Sequence, residues 1–95
     1  MSSESTSIRR KRLLLRSRYR GFLESDLVMG RFAETHLADF DEARLERYEA
    51  LLDEADHDLF AWLTGRASVP ERHDNDVFAM LRQFELMGRE AGREG

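Results

Sequence analysis

The sequence predicts an all-α fold, a compact five-helix bundle. Apolar residues recur at three- and four-residue spacings across five stretches, the period of helices with one buried face. No segment alternates apolar and polar residues as a half-buried strand would. With 41% apolar and 36% charged residues in a chain of 95, the composition is that of one globular domain. That domain is expected over residues 8–90, between a disordered tail at 1–7 and a frayed tail at 91–95.

The first helix is expected over 8–19, with Ile8, Leu15 and Tyr19 on the buried face and Leu14 beside them. The second is expected over 22–33. Its apolar residues Phe22, Leu23, Leu27, Val28, Met29 and Phe32 lie nearly all round the axis, which predicts a central, buried helix. One polar stripe survives on it, formed by Glu24 and Arg31, and Arg20 joins that stripe if the helix runs through Gly21. Asp41 is placed to cap a third helix reaching Ala55, with Leu45, Tyr48, Leu52 and Ala55 inward. Asp56 is expected to cap a short fourth helix, "HDLFAWLT", with Asp58 in its first turn and Gly65 as its stop. Eight residues are too few for a helix that stands alone, so Leu59, Phe60 and Leu63 must pack inward, and Trp62 is read as core. The fifth helix starts near Asp74 or Asn75 and turns Val77, Leu81 and Phe84 inward.

Charge is divided along the chain. Residues 8–20 hold seven basic side chains (Arg9, Arg10, Lys11, Arg12, Arg16, Arg18, Arg20) and no acid, whereas everything from Gly21 onward holds eight basic and eighteen acidic ones. Such a cationic end invites a partner, since net charge steers association. The phosphate-binding reading is weaker, because the run lacks an element that reads bases and the acidic body repels a duplex. The chain has no cysteine, and His36, His57 and His73 share no ligand spacing, so no metal is expected. There is no phosphate loop and no organised nucleophile, so no enzyme is expected. No apolar run reaches the ~20 residues of a membrane span.

The stretch "SRYRGFLESDL" poses a sharper question. Gly21 costs a helix about 1 kcal/mol relative to Ala, and an Arg20–Glu24 pair returns only about 0.2–0.5 kcal/mol. Gly21 therefore either ends the first helix, with the charges incidental, or admits another surface to the backbone, with Arg20 and Glu24 beside it as donor fork and acceptor. The residues alone leave both readings open.

Arg20-Gly21-x-x-Glu24, followed by Asp26, resembles the RGxxE signature of the succinate dehydrogenase assembly factors, also called flavinylation factors. The run "RLERYEALLDEADHDLFAWLTG" is similar to that family's second block, and the spacing through Pro70 to "NDVFAMLRQF" matches as well. The resemblance implies a five-helix domain that is not an enzyme. It implies binding to the flavoprotein subunit of succinate dehydrogenase, and in bacteria also that of fumarate reductase. It further implies promotion of covalent FAD attachment to a histidine there, with no cofactor held tightly by the factor itself. Arg20, Gly21 and Glu24 are then expected to face the flavoprotein, with Asp26 and Arg31 as neighbouring contacts. A small regulatory protein acting on nucleic acid or another partner through the basic helix is the alternative. A bacterial cytoplasmic home is expected, because seven residues before the basic helix leave little room for a mitochondrial leader.

Overall fold

A computed structural model describes the backbone of residues 5–18 and 23–94 and the side chains of 5–18 and 28–88. Among these residues there are five α-helices and no strand. The helices are α1 (Thr6–Arg18), α2 (Leu23–His36), α3 (Glu42–Leu52), α4 (Asp56–Leu63) and α5 (Asp76–Glu94). Single turns of 3-10 helix at Leu37–Asp39 and Glu71–His73 follow α2 and precede α5.

Each boundary has a local cause. The Ser5 hydroxyl accepts the Ile8 N–H at 3.2 Å, so α1 opens at Thr6, inside the segment expected to be a tail. Asp41 caps α3 as its position predicts, accepting the Arg44 N–H at 2.9 Å. Asp56 does not cap α4. The N-cap is Ala55, exposed rather than inward, and Asp56 joins Asp58 in the first turn, where the dipole favours both. Gly65, at φ +78°, ends α4 in a Schellman arrangement: its N–H reaches the Trp62 carbonyl and the Arg66 N–H reaches Ala61 at 2.9 Å. Asn75 caps α5 by accepting the Phe78 N–H at 3.0 Å. That helix continues to Glu94, through the residues expected to fray. Arg89, Glu90, Ala91, Arg93 and Glu94 are strong helix formers and offset the glycines between them.

The core gathers Met29, Phe32 and Ala33 of α2, Leu45, Tyr48, Leu51 and Leu52 of α3, Leu59, Trp62 and Leu63 of α4, and Val77, Phe78 and Leu81 of α5. As expected, α2 is central, packed against both α1 and α5. Phe32 sits at the middle of an aromatic cluster, 5.6 Å from the ring centres of both Tyr48 and Phe84 and 6.1 Å from Phe40.

The orientation of α1 corrects the sequence expectation. Leu13 and Ser17 are the fully buried residues, with Leu14 against the core, while Ile8 and Leu15 are 59% and 55% exposed. Leu13 and Leu15 lie roughly 200° apart around a helix, so only one can face inward. Two sets of polar contacts choose Leu13. The Ser17 hydroxyl lies 2.7 Å from the Leu13 carbonyl and 2.6 Å from the Tyr48 hydroxyl. Two protons serve these two short bonds: Tyr48 donates to Ser17, and Ser17 donates to Leu13. The arginines then clamp the flanks. Arg9 and Arg12 both donate to Glu49, the shortest bonds being 2.9 and 2.8 Å. Arg16 reaches Asp53 at 2.9 Å, and Arg10 donates to the carbonyls of Leu37 and Phe40 at 3.0 and 2.7 Å.

Two outcomes are expected. Tyr48→Phe strips Ser17 of its donor inside the core and should cost about 1–3 kcal/mol in urea unfolding. Adding Ser17→Ala removes the hydroxyl that has lost this donor, so the double variant should lose less than the sum of the two single ones; strict additivity would show that the pair is not coupled. The second outcome concerns pH. The Arg12 hydrogen bond, opposed by partial burial and aided by Arg9, holds the Glu49 carboxyl below its usual range. A carboxyl lowered on folding stabilises above its unfolded value of about 4.3, and that stability fades as pH falls through the lower folded value. Glu49→Gln should therefore melt earlier than the wild type at pH 7, with the gap closing in acid. A gap independent of pH would contradict the ion-pair account.

Candidate functional site

The candidate site lies where α1 gives way to α2. Arg20 and Gly21, with Tyr19 and Phe22, fall outside the described residues. Glu24 and Asp26 lie on the backbone of α2, with side chains outside the described set. Arg31 is exposed two turns further along the same helix.

What the described residues fix is the frame on either side. The end of α1 packs on Gly30 of α2, where a β-carbon would sit 3.4 Å from Arg18 Cγ and 3.8 Å from Arg18 Cα. Gly30 is thus the point of close approach between the two helices. Arg18 crosses this point to donate to Glu34 at 2.7 Å, one turn along α2. From Gly30 back to Leu23 is seven residues, about 10 Å at the helical rise. The first turns of α2, carrying Glu24 and Asp26, therefore project past the level at which α1 and α2 meet.

Sequence reasoning weighed Gly21 and passed over Gly30, although a glycine inside the most apolar helix gave the same signal. It also passed over Ser17 as a core residue, for which a polar residue four places from Leu13 offers no sign without Tyr48 in view.

Elsewhere, charged groups tie elements together. Glu54 accepts from His73 Nε2 and from Arg72 Nε at 3.0 Å, and these bonds, His73's first, hold its carboxyl below the usual range. His73 is buried and packs against Trp62 with ring centres 5.6 Å apart, which latches the loop before α5 onto the end of α3. Asp76 takes Arg44 and Arg47 at 3.1 and 3.0 Å and ties α5 to α3. Among the described residues no group of His, Asp and Glu is placed to hold a metal ion, and no helix is long and apolar enough to cross a membrane.

The geometry is that of a braced helix junction. The family model described as flavinator of succinate dehydrogenase matches residues 11–85, which span both sides of the junction. The chain is 43% identical over 84 residues to the mitochondrial succinate dehydrogenase assembly factor 2 of Scheffersomyces stipitis, covering 84% of this chain and 56% of that one. It is 46% identical over 85 residues to the factor of the same name from Yarrowia lipolytica, covering 85% and 59%. For the Danio rerio factor the identity is 36% over 85 residues, covering 87% and 54%. The chain thus spans just over half the length of these relatives. They carry assembly-factor names, not enzyme names. They are also named mitochondrial and come from eukaryotes, which overturns the expectation of a bacterial cytoplasmic home. By the extent of the family match, the chain belongs to the Sdh5 family, the flavinators of succinate dehydrogenase.

Proposed function

We propose that this chain binds the flavoprotein subunit of succinate dehydrogenase and promotes covalent attachment of FAD to it. The contact is the α1–α2 junction, with Arg20, Gly21 and Glu24 central and Asp26 and Arg31 beside them. The flavoprotein supplies the chemistry, and this chain, holding no flavin tightly of its own, keeps its client in a form where attachment proceeds. The flavoprotein of fumarate reductase is a second client of the same kind. Membership of a family named for succinate dehydrogenase supports the client, and one observation supports the location: the end of α1 packs at Gly30, about 10 Å along α2 from the end that carries Glu24 and Asp26. A rigid base limits the ordering entropy lost on binding. The nucleic-acid alternative loses support, because Arg9, Arg10, Arg12, Arg16 and Arg18 donate to carboxylates or carbonyls within the fold.

The test pairs thermal melting with covalent flavin content of the dehydrogenase in cells lacking their own factor. Gly21→Arg should melt near the wild type yet fail to restore flavin attachment, because a long side chain holds the client surface away. Glu24→Ala should weaken binding by about 2–5 kcal/mol, as expected for breaking a desolvated interfacial charge pair. Wild-type flavin content with both variants would refute the assignment, and a Gly21→Arg chain that does not fold would make Gly21 structural.

A further inference from the structure

The outward face of α1 is amphipathic in an unusual sense. Ile8, Lys11 and Leu15 fall within about 60° of one another around the helix, and all three are exposed. The apolar pair spans about 10 Å along the axis. The helix carries six cations and no acid. Four carboxylates contact it among the described residues: Glu49, Asp53, Glu34 and, through Thr6, Glu42. Its six cations outnumber these four, in a chain whose other residues include nine basic and nineteen acidic ones.

We infer that the Ile8–Lys11–Leu15 stripe is a second docking surface for the client flavoprotein, fitting an acidic patch with an apolar centre. The inference rests on the function proposed above. An acidic surface is repelled by most of this molecule and attracted here, which orients the encounter. The stripe then supplies what charge alone cannot, two aliphatic side chains to desolvate at the centre of the contact. It also lies on α1, the helix that precedes Arg20 and Gly21 in the chain, which brings the two contacts within reach of one partner. Nucleic acid makes poor use of Ile8 and Leu15 in the middle of the surface. A membrane-surface helix presents a broader apolar face than two side chains.

The full chain is titrated against purified apo-flavoprotein subunit of succinate dehydrogenase in the presence of FAD, and separately against vesicles of phosphatidylcholine and phosphatidylglycerol. The variants are Lys11→Glu and the pair Ile8→Ser with Leu15→Ser. Both should keep the wild-type melting midpoint, since these side chains are exposed. Both should bind the flavoprotein at least about tenfold more weakly, and Lys11→Glu should also flatten the salt dependence. Binding within about twofold of wild type for both variants overturns the stripe while leaving the function intact. So does a loss seen only on vesicles, which would make the face a membrane surface. A wild-type chain with no affinity for the flavoprotein overturns the proposed function and the stripe together.

Discussion

The hydroxyl pair of Ser17 and Tyr48 sets how this fold is assembled. Both hydroxyls are buried and meet where α1, α2 and α3 converge, with the Leu13 carbonyl 2.7 Å from Ser17 and the Met29 carbonyl 3.4 Å from Tyr48. Tyr48 is held from the other side by Phe32 and Phe40, at 5.6 and 6.5 Å between ring centres. With Tyr48 fixed, α1 has one rotation that brings Ser17 to it. That rotation turns Leu13 inward, sends Ile8 and Leu15 outward, and aims Arg9, Arg12 and Arg16 at the carboxylates of α3.

The basic helix therefore has two jobs that sequence alone runs together. Most of its guanidinium groups close the seam between α1 and the rest of the bundle. Individually exposed ion pairs are worth little, but Arg9 and Arg12 share one partly buried carboxylate, and Arg10 donates to two carbonyls that follow α2. A run of arginine that looks like a surface for an external anion is here largely an internal one.

Much of this was legible in the residues. The five helices, the central place of α2, the Asp41 cap and the Gly65 stop follow from periodicity and backbone preference, which are local properties. The inner face of α1 was not, because two stripes compete on it and the choice depends on Tyr48, thirty-one residues from Ser17. Ala55 was misplaced for a related reason: the apolar period of α3 continues past Leu52, but the chain turns at Asp53 to begin α4. Of the candidate site, the sequence pointed to residue types at Arg20, Gly21 and Glu24 whose side chains lie outside the described residues. The close approach at Gly30 needed the partner helix in view, since a glycine's neighbours across a contact leave no trace in its own segment.

The position of Gly30 bears on why a weak helical residue is tolerable near Gly21. A glycine inside a helix gives up local stability, which contacts elsewhere must offset. Here those contacts lie at the end of α1 and along α2. At the end of α1, Ser17 is locked to Tyr48 and Arg18 to Glu34; a few residues into α2, Gly30 allows the backbones to touch and Met29 and Phe32 are fully buried. Burial around Gly30 offsets its low propensity, so α2 depends there on the partner helix rather than on its own sequence.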